Sequence, residues 1–467
     1  MLGTNTKHLS REELFSSVPV AEALFAMAIP TIISQMINLI YNMVDAWFIG
    51  RTGNSYMMAA ASISLTLVLM NVALANLFGI GGGSLMARLM GAGKPERAKQ
   101  VSAFSFYGAI GIALVYSALA GLFLTPILDF LGASDMTIGY ARSYAMIVIV
   151  LGSLPILLSM ALAHLLRNAG FSFQASMGLS MGGILNAFLD PLFMFVILPK
   201  GQEVTGAAIA TTISNTVSAL YLLMQYRKAS AKAPLSMDLS RALKITPEDR
   251  KGVFSVGIPS AVLVGLFDAA NICVNILAAA HNDFVLAAMG IVMKIERLPN
   301  AVNIGICQGM LPIVAYNYSA GSHQRMKDTI NTARFAGLAV SLSCVLLLEI
   351  FARPAANFFL STTAGDTETA LRTIAYAAIF LRIRCIASPF QLLNYHSSYC
   401  LQAMGKGKQT LVHAFVRELV FYIPLMFLLD GMFGECGLAA ALPCGEALGA
   451  LFAIWLLHHA IPESANL

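Results

Sequence analysis

The first long apolar run of the sequence is VAEALFAMAIPTIISQMINLIYNMVDAWFIG, residues 20–50. It is longer than the ~20 apolar residues that a helix needs to cross the hydrocarbon of a bilayer. Residues 1–19, which precede it, are polar and contain no apolar core of the kind found in a signal peptide. We therefore expect this run to serve both as the membrane-insertion signal and as a permanent transmembrane helix.

The composition extends this interpretation to the whole chain. Of its 467 residues, 58% are hydrophobic and 11% are charged, and the mean hydropathy is +0.74, whereas about 25% of the residues of a soluble protein are charged. These values exclude a water-soluble enzyme, a disordered chain and a nucleic-acid binder. The seven cysteines are predicted to be buried thiols rather than disulfides or metal ligands. The chain is predicted to be an all-α polytopic protein in a lipid bilayer.

Apolar runs of similar length recur along the sequence, and counting them predicts twelve transmembrane helices. Their ends are uncertain by several residues, and those longer than the minimum are expected to tilt or to project beyond the bilayer. The predicted spans are 20–50, 56–87, 101–128, 137–166, 173–198, 205–226, 249–280, 284–316, 328–352, 371–402, 409–430 and 437–460.

The connections between these runs alternate in charge. One set is basic, with Lys94 and Arg97 in one connection, Arg167 in the next and seven lysines and arginines within residues 227–251, whereas the other set is short and mostly acidic or neutral. Lysine and arginine favour the cytoplasmic side of a membrane, so both termini are predicted to be cytoplasmic and the protein to lie in the plasma membrane. The basic exceptions on the other side are Arg51, Lys200, Arg353 and Arg372.

The sequence also contains an internal repeat that divides it into two halves. Short motifs recur in the same order, as in LRNAG at 166–170 and LQAMG at 401–405. Each half contains an even number of spans, so the repeats keep the same orientation and are related by an axis along the membrane normal. The predicted segments are a cytoplasmic N-terminal segment (1–19), a six-helix N-terminal lobe (20–226), a cytoplasmic linker (227–248), a six-helix C-terminal lobe (249–460) and a cytoplasmic tail (461–467).

This duplicated plan favours a transporter, because two rigid halves can rock around a site that lies between them. A channel is disfavoured, since a single-file pore is usually assembled from several subunits around one axis. An intramembrane enzyme is disfavoured as well, because the sequence has no HExxH motif and no clustered histidine and aspartate. We expect a single chain to form the transport unit and to require no cofactor.

Several motifs resemble those of multidrug and toxic compound extrusion (MATE) transporters. The resemblance covers almost the whole chain, and it implies twelve helices in two lobes that export amphipathic, often cationic, small organic compounds in exchange for H⁺ or Na⁺. Its most specific parts are the two motifs that contain an aspartate. The motifs are YNMVDAWFIGR (41–51), LRNAG (166–170), NAFLDP (186–191), GAAIAT (206–211) and QGMLPIVAYNY (308–318).

Two aspartates lie inside predicted spans of the N-terminal half. Asp45 and Asp190 differ in predicted depth by only ~5 Å at 1.5 Å per residue, and Asn186 lies one helical turn from Asp190. Such a pair would hold a proton, or would coordinate Na⁺ together with Asn186 and Thr211. The alternative is that Asp45 is hydrated near the interface and Asp190 fixes a bend before Pro191. The resemblance implies that both aspartates are ion-coupling residues.

One departure from the family pattern leaves the choice between H⁺ and Na⁺ open. Related proteins often carry asparagine four residues before the arginine of the LRNAG motif, whereas this chain has Ala163, followed by His164. The polar network at this position is therefore expected to differ from that of its relatives.

Charged residues also lie at a common depth in the second half. Asp268, Glu296 and Arg384 are secondary candidates for ion or substrate binding, and Asp268 and Glu296 are expected to pair with Arg384 or with its neighbours Arg297 and Arg382. These charges would form an ion-pair network that locks the lobe, or would line its water-filled cavity. In the other interpretation, Asp268 or Glu296 binds a cationic substrate or a proton.

The sequence therefore predicts a secondary active antiporter that works by alternating access. The alternative is a flippase for a lipid-linked saccharide or a similar amphiphile, since related transporter families share the two-lobe plan. A flippase would be expected to depend on arginines in its cavity and much less on Asp45 and Asp190.

Overall fold

The computed structural model describes residues 11–360 and 367–461, and within these ranges the chain is helical, with no β-strand. Twelve long helices, α1–α12, follow one another with short connections, which confirms the predicted fold class and number of spans. The first six are Val20–Arg51 (α1), Ser55–Gly91 (α2), Pro95–Leu122 (α3), Ile138–Leu151 with Ser153–Asn168 (α4), Ser172–Ile197 (α5) and Glu203–Ala229 (α6).

The second half repeats this arrangement. Its first helices are Pro247–His281 (α7), Asp283–Ser319 (α8), His323–Leu360 (α9) and Thr367–Cys385 with Ser388–Ala403 (α10). The run Gly407–Ala460 contains the last two helices, because Gly434 has a φ of +60° and breaks it into α11 (407–433) and α12 (435–460). Three short helices lie outside this count: Arg11–Ser16, Leu124–Phe130 and Leu239–Leu243.

Three segments of the described chain are π-helical. They are Met146–Leu151 in α4, Phe193–Ile197 at the end of α5 and Val416–Tyr422 in α11. Each inserts one extra residue per turn and so changes which side chains face the interior. Segments of this kind occur frequently at functional sites.

The two lobes pack against each other at one end only. At the end that carries the basic connections, the basic end, apolar residues of both lobes form one shared cluster, with Leu24 and Ile80 from the first lobe and Met310 from the second. Toward the opposite end, each lobe has its own cluster, one that includes Ile149 and one that includes Phe380. The lobes are therefore joined at the basic end and separate toward the other.

Glycines allow the helices of the two lobes to approach closely at the basic end. A Cβ atom on Gly257 of α7 would lie 2.0 Å from the carbonyl oxygen of Leu77 in α2, and one on Gly309 of α8 would lie 2.7 Å from backbone atoms of Ala28 in α1. Real Cβ atoms do not approach other atoms at such distances, so any side chain at these positions would separate the helices.

The connection between the lobes is folded against the first lobe. Ser236 donates its backbone N–H to Ser102 Oγ at 3.2 Å, and Tyr107 donates its hydroxyl to the carbonyl oxygen of Met237 at 2.8 Å. Asp238 begins the short helix Leu239–Leu243, and hydrogen bonds from Ser240 lower the pKa of its carboxyl group. This connection is therefore an ordered segment packed on α3.

An ion pair joins α3 of the first lobe to α7 of the second. Arg97 donates through Nε and an Nη atom to both carboxylate oxygens of Asp249, at 2.9 and 2.7 Å, and Asp249 is buried. The same guanidinium contacts Glu248 at 3.1 Å, but 84% of the Glu248 side chain is exposed.

We expect a double-mutant cycle on Arg97 and Asp249 to give a coupling energy of about 1–2 kcal/mol, because the buried carboxylate accepts two charged hydrogen bonds. The cycle on Arg97 and Glu248 should give less than about 1 kcal/mol, because solvent screens exposed pairs. Thermal unfolding of the purified Arg97→Gln, Asp249→Asn and Glu248→Gln variants and their combinations provides the measurement. Equal coupling in the two cycles would contradict the assignment of Asp249 as the principal partner.

Candidate functional site

The structure brings together three of the four predicted residues of the N-terminal lobe through hydrogen bonds. Asn186 donates from Nδ2 to Asp190 Oδ1 at 2.9 Å within α5, and the same nitrogen lies 3.4 Å from Thr211 Oγ1 in α6. The Asp190 side chain is completely buried, and its second oxygen, Oδ2, has no hydrogen-bond partner within the described chain. Asp190 therefore keeps one free oxygen inside the lobe.

Asp45 of α1 faces the same site. Its carboxylate lies close enough to that of Asp190 for the two charges to interact, and both carboxylates act electrostatically on the hydroxyl of Tyr144. Tyr41, one turn before Asp45, is affected by both as well. The Asp45 Oδ1 atom is buried and is also without a partner among the described residues. The two tyrosines were not predicted; only the spacing of Tyr41 from Asp45 could have indicated one of them.

Small residues on α5 bring the neighbouring helices close to the site. A Cβ atom on Gly183 would lie 2.7 Å from the Tyr41 ring of α1, and one on Gly182 would lie 3.0 Å from the Ser218 side chain of α6. Pro191 follows Asp190 directly and has no N–H to donate, and the π-helical segment begins two residues later. The sequence GG at 182–183 and DP at 190–191 thus places the acid where three helices meet.

The electrostatics of this N-terminal acidic site favour a bound cation. Two neighbouring carboxylates in an apolar lobe repel each other, and an uncompensated buried charge is costly. Protonation removes this cost, and so does an oxygen-coordinated metal cation. Three oxygens of the site have no hydrogen-bond partner among residues 11–360 and 367–461, namely Asp45 Oδ1, Asp190 Oδ2 and Asn186 Oδ1. This set of oxygen ligands suits a hard cation as well as a proton. The geometry therefore fits H⁺ and Na⁺ alike.

A second polar group lies nearer the basic end of the same lobe. Arg167 is 3% exposed and donates to Thr31 Oγ1 at 3.1 Å, with the ring of His164 at 3.4 Å. Thr31 Oγ1 also lies 3.0 Å from Ser172 Oγ. The charge pattern of the sequence predicts Arg167 to lie in one of the basic connections. That placement is wrong, because the residue is buried within the helix bundle.

In the C-terminal lobe, one of the predicted pairs is present. Arg384 of α10 donates to both oxygens of Glu296 in α8, at 2.7 and 3.0 Å, and the pair is buried. Asp268 forms no hydrogen bond or ion pair in the described part of the chain, although it lies within electrostatic range of Arg297. Arg382 points to Glu349 instead, at 4.0 Å. Of these candidates, Glu296 and Arg384 form a buried ion pair and Asp268 remains separate.

A larger buried network in the same lobe was missed. Arg417 in the π-helical segment of α11 donates to both carboxylate oxygens of Glu446 in α12, at 3.0 and 2.6 Å, and also lies 3.5 Å from Glu418. All three side chains are at most 4% exposed. The signal was available, because these charges interrupt the apolar runs 409–430 and 437–460.

The cysteine prediction is confirmed only in part. All seven thiols are free, and Cys307, Cys385 and Cys400 are buried as expected. Cys273 and Cys344 are partly buried, and Cys436 and Cys444 are exposed, contrary to the prediction.

The fold and the sites together define a class of protein. Two six-helix lobes that are related by a repeat, joined at one end and separate at the other, with buried charges inside each lobe, have the architecture of a membrane transporter. The particular family follows from comparison with known proteins. The family model described as MatE matches residues 30–192 and 259–428, which is well over half of the chain and includes both lobes. The chain belongs to the MatE family of membrane transporters.

Individual relatives agree with this assignment. The chain is 27% identical over 445 residues to the multidrug export protein MepA of Staphylococcus aureus (strain MRSA252), covering 95% of each chain, and 26% identical to MepA of Staphylococcus saprophyticus over the same lengths. Among solved structures it is similar to a MATE protein in complex with MaL6, with a TM-score of 0.90 at 20% identity. It is also similar to an outward-facing multidrug resistance MATE transporter, with a TM-score of 0.88 at 20% identity. Each alignment covers 97% of this chain and 98% of the other.

Proposed function

We propose that this protein is a secondary active antiporter that exports small amphipathic or cationic organic compounds in exchange for H⁺ or Na⁺. The observation that carries the proposal is the pair of neighbouring carboxylates, Asp45 and Asp190, with a free oxygen on each inside the apolar N-terminal lobe. Export of multiple drugs is the activity for which its relatives are named.

The arrangement of the lobes supports alternating access. We place the basic end in the cytoplasm, with both termini, because lysine and arginine favour that side. The lobes are then closed toward the cytoplasm and separate toward the outside, which agrees with the similarity to an outward-facing transporter. A cation that enters from outside reaches the N-terminal acidic site in this state. Its binding would favour rearrangement only if the site holds the cation more tightly in one state than in the other.

The transport unit in this proposal is a single chain in the plasma membrane. Each lobe has its own apolar clusters, and the N-terminal acidic site is completed by helices α1, α5 and α6 of one chain. No second copy is needed to supply a residue to this site.

Transport by purified protein in lipid vesicles tests the proposal. Ethidium, a flat lipophilic cation, serves as the transported compound, and pH and Na⁺ gradients are imposed separately. We expect at least one of the gradients to drive ethidium movement against its own gradient, and vesicles without protein to show none. Movement that ignores both gradients would overturn the antiport proposal.

The flippase alternative predicts a different outcome of the same assay. Transbilayer movement of a fluorescent lipid analogue would then depend on the protein, while ethidium would not be transported. Two of the buried arginines do not favour this alternative, because Arg384 and Arg417 are each neutralised by glutamate within the lobe.

A further inference from the structure

The buried charges of the C-terminal lobe do not balance. Arg384 pairs with Glu296, and Arg417 pairs bidentately with Glu446, which leaves Glu418 as a third acid against two arginines. Glu418 is 3% exposed and lies 3.5 Å from a guanidinium whose hydrogen bonds go to Glu446. With all five groups ionised, the network has one excess negative charge in the interior of a membrane protein.

Glu446 takes the hydrogen bonds of both polar neighbours, Asn394 and Arg417, so neither side chain donates a hydrogen bond to Glu418. Asn394 of α10 donates to Glu446 Oε2 at 2.6 Å, and its Oδ1 accepts from His413 Nε2 at 3.0 Å. His413 Nδ1 lies 2.8 Å from Ser398 Oγ, and the positive charge of the nearby Arg417 opposes a second positive charge on this buried ring. The imidazole is therefore not the missing positive charge.

A buried tyrosine hydroxyl lies between Glu418 and the other ion pair. Tyr422, one turn further along the same π-helical segment, is 5% exposed, and its hydroxyl lies against the Arg384 guanidinium. It is within electrostatic range of Glu418 and also of the Glu296–Arg384 pair. Tyr422 thus lies between the two ion-paired groups and supplies a polar atom next to the excess acid.

The remaining neighbours offer no further compensation. Tyr395 of α10 lies against Arg417, with the guanidinium 5.1 Å from the centre of its ring. Helix α7 also packs against the π-helical segment, but it has no titratable side chain between Lys251 and Asp268. Among the described residues Arg417 is thus the one cation that acts on Glu418, and it is shared with Glu446, so protonation of one acid would remove the excess charge.

The two lobes can be compared at their fifth helices, α5 and α11. Helices α11 and α12 are the repeat equivalents of α5 and α6, and the fifth helix of each lobe carries a buried acid at or near its π-helical segment, although the two acids do not occupy equivalent positions of the repeat. In the first lobe the acid is Asp190, and in the second it is Glu418.

We propose that Glu418 is a second proton-binding site, in the C-terminal lobe, and that it exchanges its proton during the transport cycle. The exchange of this proton during transport rests on the proposed function, whereas proton binding at Glu418 does not. The proton comes from water on the outer side, forms an O–H bond with a Glu418 carboxylate oxygen and returns to water on the inner side. A proton fits better than Na⁺, because a metal cation needs several oxygen ligands and would be repelled by the adjacent Arg417 guanidinium.

Infrared difference spectra of the purified full-length protein, recorded during a pH titration, test proton binding directly. We expect a band of a protonated carboxyl group that Glu418→Gln lacks. Glu446→Gln should also lack it, because Arg417 is then left with Glu418 alone and holds it ionised. Glu435→Gln, which removes a carboxyl group near Gly434 at the other end of the lobe, should retain the band.

Transport in vesicles tests the second part of the proposal. We expect Glu418→Gln to lower the number of protons moved per ethidium molecule by one. A full carboxyl band in both Glu418→Gln and Glu446→Gln would overturn the site, even if wild-type transport is driven by a proton gradient. Conversely, loss of the band in both variants supports the site, even if wild-type transport responds to neither ion gradient and the antiport proposal fails.

Discussion

Asp190→Asn is expected to reduce ion-driven ethidium transport to the level of vesicles without protein, while the variant inserts and folds normally. Asparagine has the same shape and still accepts a hydrogen bond from Asn186, so the packing of α5 against α6 is preserved. It neither binds a proton in this pH range nor supplies an anionic ligand to Na⁺. The loss should appear in accumulation driven by either imposed gradient.

The matched control for this prediction is Asp283→Asn. Asp283 is an exposed aspartate in the first turn of α8, far from the acidic site, and its replacement should leave transport unchanged. Size-exclusion chromatography and thermal unfolding of both variants check that they fold. Undiminished gradient-driven accumulation in Asp190→Asn would show that the coupling site lies elsewhere, with Glu418 as the next position to examine.

Much of the fold could be predicted because the bilayer leaves a polytopic chain few alternatives. An apolar run of ~20 residues must be a helix, since every backbone polar group needs a partner within the hydrocarbon. The run 437–460, for instance, was placed within a few residues of the helix that follows Gly434. The π-helical segments were not predictable in this way, because they depend on packing against neighbouring helices.

The N-terminal acidic site could be predicted in outline but not in detail. Asp45 and Asp190 were recognisable because a carboxylate in an apolar run requires an explanation. Tyr144 was not, since a tyrosine in a membrane helix is not unusual and its approach to the two aspartates depends on the packing of α4 against α1 and α5. The role of both aspartates in ion coupling stays a prediction.

The positions and partners of the buried arginines could not be predicted from the charge pattern of the sequence alone. Arg167 follows an apolar run directly, so its sequence position suggested a connection, whereas the helix continues and buries it against Thr31. Arg417, Glu418 and Glu446 lie within two long apolar runs, where the individual charges are visible in the sequence but the average hydropathy does not reveal them. The ion pair between Arg417 of α11 and Glu446 of α12 compensates most of their charge. Because the two residues are about 30 positions apart in the sequence, no local pattern predicts that they pair.

The second large effect is expected from a substitution that prevents the two lobes from closing at the basic end. Gly309→Leu is expected to abolish transport, because a Cβ atom at this position would lie 2.7 Å from backbone atoms of Ala28 and would force α8 away from α1. Overpacking of this kind costs about 3 kcal/mol, which lowers the population of the closed state by about a hundredfold. The variant should therefore remain open at the basic end.

Gly290→Leu on the same helix is the matched control, because no atom lies within 4 Å of a Cβ atom at Gly290. Leucine there adds the same side chain to α8 without touching α1, so ethidium transport should stay near the wild-type rate. Labelling of a cysteine introduced at Ala28 by a membrane-impermeant reagent, in vesicles that expose the basic end, reports the opening independently of transport. We expect labelling to increase in Gly309→Leu and not in Gly290→Leu. Wild-type transport by Gly309→Leu would mean that the lobes complete their cycle without this contact, and alternating access would then need a different closing surface.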